Sequence, residues 1–259
     1  MVTNDDGVAS PGLAALAASV QEAGHETFVV APLMDRSGSG AALGPFHRHQ
    51  EVRYEEVRLA GFGGSAHGLD GTPALAVMLA CLGGFGEPPE LVVSGINPGA
   101  NTGRAILHSG TVGAALTAAN LGVSGLAVSI RAGEPFHWAT ACDLATMTLP
   151  WLRRAPRGTV LNLNVPNLPR QELGGVRPAR LAPFGTVRAA LGGDGGGRLQ
   201  VEMRATDAEL GPDTDTALVA AGVVAVTAVT GIRAVGEVDV ADWIGRALAG
   251  SEDPVGGDP

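Results

Sequence analysis

The chain has no lysine; all 17 of its basic residues are arginine. That removes a Walker-type phosphate lysine and a Schiff-base lysine from the chemistries open to it. Cysteine is scarce too, with only Cys81 and Cys142, each in an apolar stretch of helical spacing. Two such thiols are expected to be buried and free in a reducing cytoplasm rather than joined in a disulfide. No apolar run reaches the roughly 18 residues of a membrane span, and no basic segment leading into an apolar one marks a signal peptide. The expectation is a cytoplasmic protein with no membrane partner. Positive charge is outweighed by 26 acidic residues, for a formal net charge of −9. This argues against a nucleic-acid binder, which needs clustered cations.

What the chain does have is apolar substance: 259 residues, 45% of them hydrophobic. That suffices for one large α/β domain with a sizeable core. Continuous apolar strands are predicted at 26–32, 89–97, 124–130 and 158–166, with a short strand ending at residue 3. Helices with Pro or small-residue starts are predicted at 11–24, 70–84, 108–122 and 135–154. Residues 51–61 alternate like a strand. Strand and helix in turn point to a parallel sheet covered on both faces, a Rossmann-like three-layer α/β/α core over 1–166. From 167 the pattern changes. Segments near 174–181, 184–191 and 197–204, split by the glycines of 192–197, read as an exposed β-hairpin arm. An apolar return strand at 221–229 and a helix at 238–248 complete the predicted region 167–250, and 251–259 reads as a disordered tail. An arm this exposed is too thin to be stable by itself, which suggests a homo-oligomer.

In an open parallel sheet, ligands sit outside the carboxyl ends of the strands. The first strand is followed by Asn4, Asp5, Asp6 and Gly7, and the second by Asp35, Arg36, Ser37 and Gly38. Asn97, Gly99 and Asn101 follow the strand at 89–97, and His108, Ser109, Gly110 and Thr111 lead into the next helix. These are oxygen donors without cysteine, which suits a hard divalent cation such as Mg2+ or Mn2+. Asp5 and Asp6 match the one or two carboxylates of a magnesium site, with Ser37 and Asn97 available to complete the shell. Free amides at the helix start after Ser109 suit an anion. A cation and a helix N-terminus facing one pocket suggest phosphate chemistry. Each fragment also has a plainer reading. Asn-Asp-Asp-Gly is common turn chemistry, and Ser109 and Thr111 are ordinary caps. His47 and His49 suit a solvated loop better than a metal site. The glycines of GINPGANTG have the wrong spacing and place for a dinucleotide fingerprint.

Taken together, VTNDDGVASPG, DRSG, DGTP, VVSGINPGANTG and SGTVGAA, in this order and spacing, resemble the SurE family of nucleotidases. The later GPDTDTALVAAGVVAVTAV is similar to that family's TD-containing segment. The resemblance implies a metal-dependent phosphomonoesterase acting on nucleoside 5′- and 3′-monophosphates and on short polyphosphate. It implies a dimer or tetramer held by the hairpin and C-terminal segment. Carried over by position, the metal ligands are Asp5, Asp6, Ser37 and Asn97, and Asn4, Gly38, Asn101, Ser109, Gly110 and Thr111 line the phosphate site. Asp5 or Asp6 acts on water or attacks directly, and His108 is a candidate proton donor to the leaving alkoxide. The chain departs from the family's pattern at Leu75 and Ala76 (usually Asp-Cys), His108 (usually Tyr), Thr117 (usually Glu) and the TAV of 227–229 (usually TPL). The alternative is a catalytically weakened relative that binds metal and nucleotide.

Overall fold

The computed structural model describes residues 1–45, 51–183, 187–192, 200–205 and 210–234, with 236, 240, 241, 244 and 245. His47, His49, most of the glycine run, most of the predicted 238–248 helix and the tail lie outside the described residues.

Eleven strands and five α-helices are defined among the described residues. Strand β1 (Val2–Thr3) leads through helix α1 (Pro11–Glu22) to β2 (Val29–Pro32). The short β3 (Tyr54–Glu56) and β4 (Ala66–Leu69) precede α2 (Pro73–Cys81). Next come β5 (Leu91–Asn97), a 3-10 turn (Gly103–His108), α3 (Gly110–Asn120) and β6 (Ser124–Ile130). After α4 (Trp138–Leu152) and β7 (Val160–Val165) follow β8 (Val176–Pro178), β9 (Val187–Gly192) and β10 (Gln200–Ala205). Helix α5 (Asp215–Ala220) and β11 (Val224–Val229) come last.

Nine strands form one sheet in the order β3-β4-β2-β1-β5-β6-β7-β11-β8. The six from β4 to β7 are mutually parallel. The strand β3 pairs antiparallel with β4, and β11 antiparallel with β7. The predicted mostly parallel α/β core is therefore present. Strands buried on both faces explain the continuous apolar runs: all seven residues of β6 and all six of β7 are buried. Leu13, Leu16 and Val20 of α1 pack with Leu149 and Leu152 of α4 on one face. Leu75, Val77 and Ala80 of α2 pack with Ala114 and Ala118 of α3 on the other. Both cysteines are free, Cys142 buried and Cys81 half-buried.

Several expectations need correction. Residues 176–178 belong to the main sheet, where β8 runs parallel to β11 at the edge, so the arm is only the β9–β10 hairpin. Neither β4 nor α5 was expected from the pattern; each is too short to show a period. The strands at 26–32 and 51–61 shrink to Val29–Pro32 and Tyr54–Glu56. Thr72 and Ser109 cap their helices through the amides of Leu75 and Val112, at 3.1 Å each. Ser10 makes no such side-chain bond, and α1 starts on Pro11 alone.

Candidate active site

The chain order reverses between β1 and β5. From β1 it moves outward through β2, and from β4 it crosses back to β5 on the other side. Ligands in such sheets gather at this switch point, and the NDDG turn leaves β1 there. Asn4 donates through Nδ2 to the Gly7 carbonyl at 3.0 Å, closing the turn. Gly7 adopts φ +97, and a Cβ there would lie 3.2 Å from the backbone carbon of Met34. Only glycine takes this conformation without strain. The turn delivers two adjacent carboxylates to the carboxyl edge of the sheet.

Asp5 is buried, 3% exposed. Thr111, the second residue of α3, donates its hydroxyl to Asp5 Oδ1 at 2.5 Å and lies 3.4 Å from Asn97 Oδ1. Asp5, Thr111 and Asn97 therefore meet, although they come from three separate elements. Gly110 makes this approach possible: a Cβ there would stand 2.7 Å from Asp5 Cβ and Oδ2 and 2.8 Å from Ser39 Oγ. The Arg36 amide donates to the Asp5 carbonyl at 2.7 Å, tying the loop after β2 to the turn after β1.

Burial raises the pKa of Asp5, against the Thr111 hydroxyl and the amides at the start of α3, which favour its charge. Asp6 is pushed from 3.8 up to about 7, first by burial and then by the charges of Asp5 and Asp35. Its Oδ2 is buried without a hydrogen-bond partner. Two crowded carboxylates and an orphaned oxygen are the conditions that a hard cation relieves. Among the described residues no three His, Cys, Asp or Glu side chains converge to hold a metal, here or elsewhere. The residues present thus fit a cation held by two carboxylates and neutral oxygens.

The other predicted site residues are less uniformly placed. Ser37 and Gly38 are exposed on the rim. The Ser37 amide donates to Asp35 Oδ1 at 2.7 Å, and its bonds hold the Asp35 carboxyl below the usual range. Asn97 donates Nδ2 to the Gly99 carbonyl at 2.6 Å, leaving Oδ1 toward Thr111. Asn101 lies beside β6, donating to Ser129 Oγ at 2.8 Å. His108 is exposed at the end of the 3-10 turn, and its carbonyl accepts from Gly40 N–H at 3.1 Å. Sequence reasoning missed Ser39, whose Oγ is buried, unpartnered and set against Gly110 beside Asp5. Its place in the RSGS run was visible; its direction was not. Next to the site a cleft of about 470 Å³ opens among Arg36, Leu43, Val52, Arg53, Asp70 and Leu75.

Three of the positions that depart from the family pattern lie in packing, whereas His108 and Ala228 are exposed. Leu75 and Ala76 are buried in the apolar layer under α2, and Thr117 donates back to the Gly113 carbonyl at 2.7 Å.

Comparison with known proteins agrees with this fold. The family described as "Survival protein SurE" matches residues 1–187. The chain is similar to a protein named 5'-nucleotidase SurE from Alkalilimnicola ehrlichii, with 43% identity over 183 residues, 70% of this chain and 68% of the relative. A protein named 5'/3'-nucleotidase SurE from Serratia proteamaculans is 35% identical across 97% of this chain and 98% of its own. Among solved structures, that of the SurE protein from Aquifex aeolicus superposes with a TM-score of 0.75 at 29% identity, covering 96% of this chain and 98% of that one.

Proposed function

Because the chain belongs to the SurE family, we propose that it is a metal-dependent nucleotidase that hydrolyses nucleoside 5′- and 3′-monophosphates to nucleoside and phosphate. The observation that carries this reading is the buried Asp5 beside Asp6, whose Oδ2 is buried without a partner, in the turn that leaves β1 at the switch point of the sheet. Asp5, Asp6, Ser37 and Asn97 would hold one Mg2+ or Mn2+. When bound, such a cation offsets charge on the phosphoryl oxygens and acidifies a water.

The chain's own groups supply the rest. Thr111 locks Asp5 Oδ1, which fixes the carboxylate's orientation before substrate arrives. Asp5 and Asp6 are the groups placed to orient the attacking water and accept its proton. Asn4, Gly38, Asn101, Ser109, Gly110 and Thr111 line the phosphate, with the dipole of the eleven-residue α3 directed at it. His108 protonates the leaving alkoxide from the exposed end of the 3-10 turn. The nucleoside lies in the cleft beside Arg36.

The protein works in the cytoplasm as a homodimer or homotetramer. Support for assembly comes from the β9–β10 hairpin, whose strands among the described residues pair only with each other; an isolated two-stranded hairpin is marginal in water. No helix among the described residues is long and apolar enough to cross a membrane.

The test is phosphate release from a panel of 5′- and 3′-nucleoside monophosphates with Mn2+, with Mg2+ and with EDTA. Release that needs a divalent ion supports the reading. Tight Mn2+ binding with no release from any substrate contradicts it and favours the catalytically weakened relative.

A further inference from the structure

Asp215 is a buried carboxylate that the proposed hydrolysis does not use. It stands at the start of α5 with 0% exposure. Among the described residues no arginine bridges it. Its partners are backbone amides and, at 3.4 Å, the Thr216 hydroxyl. Oδ2 accepts from Gly103 N–H at 2.8 Å, and Oδ1 from Ala182 N–H at 2.9 Å and Thr216 N–H at 2.8 Å. The Ala182 carbonyl then accepts from Arg104 N–H at 3.1 Å. One side chain thus joins α5 and the segment after β8 to the loop that follows β5.

That loop starts from Asn97, the last residue of β5, and carries Asn101, and it is pinned a second time. The Asn101 carbonyl accepts from Nδ2 of Asn162 at 2.8 Å and of Asn164 at 2.9 Å, both buried on β7. Burying a carboxylate and two carboxamides is unfavourable unless each is hydrogen-bonded. Packing α5 would need none of them, since Leu218 and Val219 already bury its apolar side. The Oδ1 atoms of Asn162 and Asn164 are buried without a partner, so their bonds to the Asn101 carbonyl, with those of Asp215, serve to select one backbone geometry, which apolar contact does not. Here the geometry selected is that of the loop lying between Asp5 and β6.

We propose that Asp215 is a positioning residue of the active site, clamping the Gly103 amide so that Asn97 keeps its place beside Thr111 and Asp5, and Asn101 its place beside β6. The inference rests on the nucleotidase reading above. Oδ2 accepts from the Gly103 N–H and Oδ1 from the N–H groups of Ala182 and Thr216, with the Thr216 hydroxyl at 3.4 Å. An Asp215→Asn amide therefore turns a donor against one of these donors, while side-chain volume is kept.

The experiment compares wild type, Asp215→Asn and Leu149→Ala, the last a core change on the opposite face of the sheet. Rates are taken with saturating Mn2+ well below each variant's Tm. Asp215→Asn is expected to lower kcat/KM by about 10- to 100-fold, the range for a misplaced binding group. Its Mn2+ affinity by calorimetry is expected to fall about 10-fold, because Asn97 is one of the four proposed ligands, and to remain measurable because Asp5 and Asp6 come from β1. Leu149→Ala lowers Tm and leaves kcat and KM unchanged. If Asp215→Asn also changes only Tm, the residue is merely structural and the proposal is overturned. A wild type that releases no phosphate overturns the nucleotidase reading and this inference with it. Native-state amide exchange of the wild type needs no variant: the clamp requires Gly103 N–H to exchange about 1,000-fold slower than an open loop. Exchange at the open-loop rate refutes it even if Asp215→Asn fails to fold.

Discussion

Replacing Asp6 by Asn should stabilise the metal-free protein while abolishing its activity. Asp6 carries a carboxyl raised from 3.8 to about 7 by burial and by Asp5 and Asp35. Between these values the folded state keeps a proton that the unfolded state has lost. The resulting stability is fully present below pH about 4 and is lost as pH rises through about 7. Three pKa units correspond to about 4 kcal/mol. Asp6 keeps partial contact with solvent, which screens its charge, so the expected effect is about 2 kcal/mol. In EDTA at pH 8, Asp6→Asn should therefore melt about 5 °C above wild type, for a chain of this size. The gap should close near pH 4. Adding Mn2+ should raise the Tm of wild type and leave the variant unmoved. Thermal melts at the two pH values, with EDTA and with Mn2+, measure all of this. Equal melting points at pH 8 in EDTA, or a gap that persists at pH 4, would refute the electrostatic picture of the carboxylate pair.

Other perturbations reach the same site from different sides. Thr111→Val keeps the shape but removes the donor to Asp5 Oδ1; Mn2+ affinity by calorimetry should fall about 10-fold, as for loss of one hydrogen bond to a charged group. Gly110→Ala would put a methyl 2.7 Å from Asp5 Cβ, so hydrolysis should drop about 100-fold by displacement of the carboxylate, with far-UV circular dichroism unchanged. His108→Ala should lower kcat and flatten the alkaline limb of its pH profile. An unchanged rate and profile would remove histidine from the mechanism. Arg36→Ala opens the cleft beside the site; KM for nucleotides should rise several-fold while kcat holds, as for a group that binds ground and transition states alike.

The parallel core was legible because its strands are buried on both faces and so read as unbroken apolar runs, as in VVSGI and LAVSI. The meeting of Asp5, Asn97 and Thr111 was legible for a related reason: topology sends the carboxyl ends of the six parallel strands to one edge, so these residues converge without any sequence proximity. The capping roles of Thr72 and Ser109 are local and were equally plain. What escaped depends on partners. The three exposed residues of β8 have no period that tells a sheet edge from an arm, and only pairing with Val224–Val226 settles it. The residues of β4 fit beside β2 because Gly68 leaves room for Leu33, a contact no spacing rule encodes. Ser39 and Asp215 take their roles from contacts with Gly110 and Gly103, far along the chain.

The most direct test of the central claim is a Mn2+ titration of phosphate release from a nucleoside 5′-monophosphate, wild type beside Asp6→Asn, after exhaustive EDTA treatment. The account predicts no release without the ion, saturable activation of wild type, and no activation of the variant at any Mn2+ concentration. Release that survives EDTA, or equal activation of both proteins, would contradict a cation site built on the Asp5–Asp6 pair.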